Sequence, residues 1–326
     1  MNFESILRLA IFALFAVLAF LGASCGESNS VDKNVNTIEV DSNLIIKENL
    51  VNAIVQEDCV LSNGTRSRCF LITVKAKPKE HKMGPWCPET ITDSKDSGGI
   101  WFRDGKIYDV DGPFIANLDK FYSDPEWKLY REDGSVKVTA TQEACEAAAR
   151  PDVDEKYHNY CVQCAPSYYE SKEITYRIPV KPVFMKFPTA IGRDGIGLAF
   201  NGVPFDPAAP VHAILAAHTL APLDDCGGHV NPHKGYHYHA ANGCSKEASK
   251  EENHPPLLGY ALDGFGIYAL KNEDGKEPDD LDDCRGHTDE KRGYHYHAGR
   301  PGDNKIIGCF RGDPGSVSVE SLEREG

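Results

Sequence analysis

Short stretches of alternating apolar and polar residues, separated by turn-forming pairs, make up much of the chain. Asn63-Gly64 and Asp104-Gly105 each separate two such stretches, and both pairs favour the tight turns of β-hairpins. One helix is expected over residues 141–150, which are rich in alanine and end before Pro151. The pattern predicts an α+β fold that is predominantly β.

The start of the expected helix carries a candidate N-terminal cap. Thr139 and Gln142 stand at the spacing of a capping box, in which each side chain satisfies a backbone N–H of the first turn. The sequence therefore predicts Thr139 as the N-terminal cap.

The N-terminus carries the pattern of an export signal. Residues 9–21 are an unbroken apolar run after Arg8, which suits the core of a signal peptide and is shorter than a bilayer-spanning segment. Small residues then precede Cys25, as in a bacterial lipoprotein signal, although Gly22 stands where leucine is usual. We expect a signal peptide over 1–24, lipidation of Cys25 and a polar tether over 25–43; secretion without lipidation is the alternative.

Length and charge limit the organisation and the partners. At 326 residues the chain is long enough for two domains, predicted over 44–170 (α+β, disulfide-rich) and 174–312, with a tail over 313–326. The net charge of −14 argues against nucleic acid as a partner, because such binding needs clustered basic residues. The expected location is the bacterial cell envelope, anchored to a membrane and facing the periplasm or the cell surface.

The cysteines favour disulfide bonds. Besides Cys25 there are ten cysteines, an even number, in a chain expected to enter an oxidising compartment. Cys59 and Cys69 flank the first hairpin turn and are expected to link its strands. Cys161 and Cys164 are interpreted as structural disulfide cysteines, because no second pair of this spacing supports a zinc site.

The second half of the chain contains an internal repeat. The matching segments, at offsets of 58 or 62 residues, are 223–229 with 281–287, 235–240 with 293–298, and 197–202 with 259–264. The repeat predicts two copies, 196–244 and 258–309, each a hairpin followed by a loop and a histidine-bearing strand. We expect the copies to pair and share one core, since neither is large enough to fold alone.

Each copy also suggests its own disulfide. Cys226 with Cys244, and Cys284 with Cys309, would close loops of 18 and 25 residues. By the chain-entropy estimate each closure stabilises the fold by about 3 kcal/mol.

A His-x-His pair in each copy is the main candidate for chemistry. Since side chains alternate across a strand, the two imidazoles of a pair lie on one face with Cα atoms about 6.6 Å apart, and a third histidine precedes each pair. The candidate ligands are His229, His237, His239, His287, His295 and His297. Nitrogen ligands favour copper or zinc over calcium or magnesium.

Neighbouring residues have two open interpretations. Four aspartates could accept the outward N–H of a ligand histidine or could cap a turn: Asp224, Asp225, Asp282 and Asp283. The tyrosines that alternate with the histidines are expected to point into the core. The remaining histidines lack the repeated pattern and are set aside: His81, His158, His212, His218, His233 and His254.

The repeated motif resembles the family named after its YHYH motif. The resemblance rests on Gly-Tyr-His-Tyr-His, on the preceding Asp-x-Cys-x-Gly-His and on residues 258–265, and it extends over about 178–311. Segments 83–88 and 98–112 are similar to exported members. Gly266 departs from the family's usual proline, which affects turn rigidity and not the ligands. The resemblance implies an architecture and the motif histidines and tyrosines, without a substrate.

Three functions remain open at this stage. The favoured one is a membrane-anchored lipoprotein that binds copper or zinc and has no catalytic role. The second is a secreted metalloenzyme, a hydrolase or oxidase with three histidine ligands and an open position. The third is a metal-free, disulfide-linked surface module that binds a polymer or a partner through exposed tryptophan and tyrosine side chains. The histidines are then hydrogen-bonded packing residues, and the sequence does not identify a small-molecule or polymer ligand.

Overall fold

The computed structural model describes residues 29–75, 77–170, 172–244, 254–271 and 275–321. The expected signal peptide and the expected lipidation site at Cys25 lie outside these residues. Within the described ranges, no helix has the length and apolar character needed to cross a membrane.

The fold is mostly β, with few helices. The strands are β1 Val55–Val60, β2 Arg66–Val74, β3 Ile100–Arg103, β4 Lys106–Asp109, β5 Lys172–Pro179, β6 Phe184–Thr189, β7 Gly197–Ala199, β8 Pro204–Phe205, β9 Gly228–Asn231, β10 Gly235–Tyr238, β11 Leu257–Ala261, β12 Gly266–Tyr268, β13 Gly286–Asp289, β14 Gly293–His297, β15 Phe310–Gly312 and β16 Ser316–Ser321. The α-helices are α1 Gly112–Ala116, α2 Leu118–Tyr122, α3 Gln142–Ala148 and α4 Val211–Ala216. Single 3-10 turns occupy Ser42–Leu44, Lys47–Asn49, Lys95–Ser97, Glu155–Tyr157, Pro166–Tyr168 and Pro301–Asp303.

A four-stranded antiparallel sheet joins distant parts of the sequence. Its order is β1-β2-β5-β16. β1 and β2 form a hairpin around the expected Asn63-Gly64 turn, and a Cys59–Cys69 disulfide links the two strands. Ile72 and Val74 on β2 are fully buried, so their β-branched side chains fill the core side of the pleat.

An eight-stranded sheet carries both histidine motifs. Its order is β13-β14-β12-β11-β7-β8-β10-β9. β7 and β11 pair antiparallel at its centre. The strands on the two sides of this centre follow the same order. Next to β7 and β11 lie their hairpin partners β8 and β12, then the parallel motif strands β10 and β14, and then the antiparallel outermost strands β9 and β13.

The two central hairpins depend on glycine turns. Asn201-Gly202 joins β7 to β8, and Asp263-Gly264 occupies the same place between β11 and β12. Gly202 and Gly264 have φ of +80° and +86°, a left-handed conformation that side chains with a Cβ rarely adopt. These turns fix which strand lies beside each motif.

The motif tyrosines belong to the main core, as the alternation predicts. Tyr236, Tyr238, Tyr294 and Tyr296 are all buried and pack with Phe205 and Phe265 among other apolar residues of both halves. The imidazoles therefore project from the opposite side of each strand.

The expected helix forms, but with a different cap. It spans Gln142–Ala148, and the Thr141 side chain accepts the Ala144 N–H. The predicted cap, Thr139, instead exchanges hydrogen bonds with the Gln163 backbone, which occupies its hydroxyl. The capping-box spacing was therefore placed two residues too early.

The ends of the described chain are more ordered than the sequence suggested. Val40, in the segment expected to act as a tether, is buried, and the Asp41 N–H donates to the Tyr260 hydroxyl. In the segment expected to be a tail, Ser316–Ser321 forms β16 against β5. Apolar residues in both segments bury surface against the main core, which a polar tether or tail would not do.

Four further disulfides join other parts of the structure. Cys226 is bonded to Cys244, and Cys284 to Cys309, the partners expected from the repeat. Cys161 and Cys164 are not bonded to each other: they pair with Cys87 and Cys145. Five disulfides are typical of a protein that folds after export to an oxidising compartment.

Candidate metal centres

Strand pairing brings the three histidines of each copy together. His229 on β9 lies directly opposite His237 on β10, and His287 on β13 lies directly opposite His295 on β14. The second histidine of each pair, two residues further on, faces the same side of the strand. The structure thus forms two separate clusters from the six predicted residues.

In the first cluster the Nε2 atoms converge. His239 Nε2 lies 3.1 Å from His237 Nε2 and 3.1 Å from His229 Nε2. Ligand atoms that are 2.0–2.1 Å from one tetrahedral zinc lie about 3.4 Å apart. The three nitrogens are therefore close to the separation that a shared ion requires.

The opposite ring nitrogens of the motif histidines face backbone carbonyls. His237 Nδ1 lies 2.9 Å from the Gly235 oxygen, and His239 Nδ1 lies 2.5 Å from the Pro207 oxygen. A carbonyl only accepts, so each Nδ1 carries the proton and each Nε2 presents a lone pair. Lone pairs that face one another at 3.1 Å repel unless a cation or a proton lies between them.

The second cluster contains a fourth histidine that the sequence analysis set aside. His295 Nε2 lies 3.0 Å from His287 Nε2 and 3.1 Å from His254 Nε2, and His297 Nε2 lies 3.1 Å from that of His287. All four candidate ligand atoms lie within 4.8 Å of one another. The exclusion of His254 was therefore wrong: at the offset of 62 its position corresponds to Gly192, so the repeat gives no signal for it.

The tautomers of the second cluster are set in the same way. The Nδ1 atoms of His295, His297 and His254 face the backbone oxygens of Gly293, Ala269 and Pro255 at 2.8–2.9 Å. His287 Nδ1 instead lies 2.6 Å from a carboxylate oxygen of Asp280. A carboxylate behind a ligand imidazole raises its basicity and orients its ring.

Burial favours the neutral form of four of these imidazoles. Burial, and then repulsion between neighbouring imidazoles, holds the pKa values of His229 and His237 well below the ordinary value of 6.5. Burial also lowers the pKa of His295 to about 4 and that of His297 to about 3. Neutral imidazole is the form that binds a metal ion.

A glycine before each outer histidine makes room for a motif tyrosine. A Cβ on Gly228 would lie 2.6 Å from the Tyr236 hydroxyl oxygen, and one on Gly286 would lie 2.1 Å from that of Tyr294. Only glycine lets the tyrosine cross beneath the outer strand while the adjacent histidine faces the cluster. This accounts for the Gly-His dipeptide in both copies.

The aspartates do not orient the histidines. Asp224 accepts N–H groups of Cys226 and Gly228 and the Tyr236 hydroxyl, and Asp282 makes the corresponding contacts. Asp225 and Asp283 are exposed. The interpretation as histidine partners was wrong, and the alternative, turn capping, describes Asp224 and Asp282.

The surroundings of the two clusters differ. In the first, His237 Nε2 lies 3.2 Å from the Asn231 amide nitrogen and 3.9 Å from Asp206, which pairs with the buried Lys234 at 2.6 Å. In the second, the residue that corresponds to Asn231 is Asp289, whose carboxylate lies 3.9 Å from His295 Nε2. The Asn231 amide competes with a metal ion for the lone pair of His237 Nε2, whereas the Asp289 carboxylate would attract a metal ion.

A cavity adjoins the first cluster. It has a volume of about 870 Å³, and His229 and His239 lie in its wall together with His233, Asp206 and Lys234. Its lining contains no member of the second cluster. Sequence reasoning did not find Asp206 or the cavity, because Asp206 lies outside the repeated motif and the wall combines residues from distant segments.

The site and fold define a disulfide-linked, mostly β protein with two partly buried histidine clusters. Residues 175–280 match the family model described as YHYH protein. The matched range contains the first cluster and His254. No curated protein and no solved structure matches the chain.

Proposed function

We propose that this exported YHYH-family protein binds two metal ions, one at each histidine cluster. The observation that carries the proposal is the convergence of Nε2 atoms at 3.0–3.1 Å, with the Nδ1 atoms of the four His-x-His histidines directed at backbone carbonyls. Buried polar atoms that are not satisfied by one another need a partner. A cation would satisfy every lone pair in each cluster at once.

The donor set favours copper or zinc. Imidazole nitrogen suits both metals, while calcium and magnesium prefer oxygen. The ten described cysteines are in disulfides and offer no thiolate. We expect the second cluster to bind more tightly, because it has four imidazoles and a nearby carboxylate.

We further propose that the two halves of the eight-stranded sheet are copies of one unit. The proposal is supported by the sequence repeat and by the equivalent strand order on either side of the β7–β11 pair. On this interpretation the two clusters descend from one site and have since diverged.

Membrane attachment through a lipid on Cys25 is also part of the proposal. It is supported by the apolar run and the small residues before that cysteine. Cell fractionation of the full chain and of a Cys25→Ser variant tests it: the native chain should be in the membrane fraction, and the variant should not be lipidated. Recovery of the native chain in the soluble fraction would contradict lipid anchoring.

Elemental analysis of untagged protein tests metal binding. The native protein should contain about two equivalents of copper or zinc, and a His237→Ala, His239→Ala variant about one. A His158→Ala, His212→Ala variant is the matched control, since both side chains are exposed and lie outside the clusters. Equal metal content in all three proteins would reject the proposed sites.

The other functions give different results in the same experiment. Metal content near zero after exposure to copper and zinc would favour the metal-free surface module. A metalloenzyme, hydrolase or oxidase, is the second candidate, and the cavity beside His229 and His239 favours it. Turnover lost with the first cluster and kept without the second would support that function.

A further inference from the structure

We infer that the two clusters have different coordination: the second is closed by four imidazoles, and the first keeps an open position that takes an anionic ligand from the adjoining cavity. The inference rests on the proposed metal binding and goes beyond it, because it assigns each cluster its own role. The second ion would be structural, and the first would be available to a ligand.

The number of nitrogens carries the first step. His254 joins three other histidines in the second cluster, and four nitrogen donors complete the tetrahedron that zinc prefers in structural sites. The first cluster offers three, because its corresponding position is Gly192. A three-histidine site leaves one position of a tetrahedron for a water or an exogenous ligand.

The cavity carries the second step. It reaches His229 and His239, so a ligand of small-molecule size could enter beside the open position. The Asp206 carboxylate lies 3.9 Å from His237 Nε2, but it is paired with Lys234 at 2.6 Å and is not among the ligand atoms of the first cluster that lie within 4.8 Å of one another. The described residues therefore leave the fourth position to water or to a ligand from outside.

The charges of the wall indicate the class of ligand. Among the described residues, and histidines aside, the charged side chains that line the cavity are Arg150, Lys172, Arg193 and Lys234 against Asp194 and Asp206. Cations thus exceed carboxylates in the cavity, although the whole chain has a net charge of −14. With a divalent ion at its inner end, such a wall attracts anions.

Azide binding to the cobalt-loaded protein tests the inference. Cobalt(II) replaces zinc in nitrogen sites and reports its coordination by visible absorption, and azide is a small anion that binds an open position. One variant, His287→Ala with His295→Ala, keeps only the first cluster. The other, His229→Ala with His237→Ala, keeps only the second.

We expect azide to change the visible spectrum of the first variant, which keeps only the first cluster, with saturation at one azide per cobalt. The spectrum of the second variant, which keeps only the second cluster, should not change. Adding His254→Ala to the second variant should make it respond to azide, because the substitution opens a position. A response of the second variant before that change, or no response of the first, would overturn the inference. X-ray absorption should show four imidazoles in the second variant, and three imidazoles with one further nitrogen or oxygen ligand that is not imidazole in the first.

The anionic preference is tested separately. In the variant with only the first cluster, Arg193→Gln should raise the azide dissociation constant about twofold or more, since it removes one wall cation. The control is Arg66→Gln, an exposed residue outside the cavity lining. Equal azide affinity in both would overturn the assignment of an anionic ligand.

Metal analysis separates these failures from failure of the proposed function. If each variant binds less than one cobalt after dialysis, metal binding itself fails. If each variant binds one cobalt, but azide perturbs the variant with only the second cluster or leaves the variant with only the first cluster unchanged, metal binding stands. Only the proposed difference between the clusters then fails.

Discussion

Replacing Tyr296 with phenylalanine should destabilise the protein in a way that depends on pH. Its hydroxyl donates to Asp263, which is fully buried and also accepts the Gly312 N–H. Burial raises the pKa of Asp263 from 3.8 to about 6. Asp263 is thus charged at neutral pH, and the hydroxyl of Tyr296 is one of the few groups that stabilise the charge.

The sign follows from linkage. Because the pKa of Asp263 is higher in the folded state, its ionisation opposes folding above pH 6 by about 3 kcal/mol, and this penalty declines as the pH falls from 6 towards 4. Removing the Tyr296 donor raises that pKa further and increases the penalty. We expect Tyr296→Phe to lower the free energy of unfolding by about 2–3 kcal/mol at pH 7.5 and by about 1 kcal/mol less at pH 5.

The other Gly-Tyr-His-Tyr-His segment supplies a matched control. Tyr238 occupies the corresponding position, but its hydroxyl accepts from the amide of Asn201, which does not titrate. Tyr238→Phe should cost about 1–3 kcal/mol at both pH values. Urea unfolding of the metal-free proteins, with disulfides intact, measures both. The same pH dependence in the two variants would refute the assignment of the Asp263 charge.

Three further results follow from the structure. In the metal-free protein, nitrogen NMR should show His295 neutral until the pH falls to about 4, because burial lowers its pKa, and a titration midpoint near 6.5 would contradict this. Since the unfolded chain takes up protons at a higher pH than the folded protein, histidines of this kind should destabilise the fold as the pH falls from 6.5. Gly286→Ala should cost about 1–3 kcal/mol in thermal unfolding through overpacking, whereas Gly192→Ala, with open space around its Cβ, should change little. Cys226→Ser with Cys244→Ser removes a link across 18 residues and should cost about 3 kcal/mol in urea unfolding, with no loss pointing to a strained or unformed bond.

The features visible in the sequence were those encoded by local spacing. The Asn63-Gly64 turn, the Cys59–Cys69 link and the alternation of His237 and His239 each depend on residues only a few positions apart. Turn geometry and the two-residue period of a strand are sufficient to predict them.

The features that sequence reasoning missed depend on long-range packing. His254 reaches His295 across 41 residues, and the Asp206–Lys234 pair joins a hairpin to a motif strand. Neither has a counterpart in the other copy, so comparison within the chain could not reveal them. The Thr139 cap failed for a related reason, since a distant backbone group took its hydroxyl.

Among the described residues, the outermost strands of the eight-stranded sheet, β9 and β13, have a strand partner on one side only, and such edges invite pairing with other chains. His229 and His287 stand on these two strands, and the motif histidines of their clusters stand on or next to the adjacent strands β10 and β14. An ion in each cluster would therefore cross-link the outermost strand to the interior of the sheet. Removal of the ions by a chelator would then free β9 and β13 at the same time and promote self-association at both ends of the sheet.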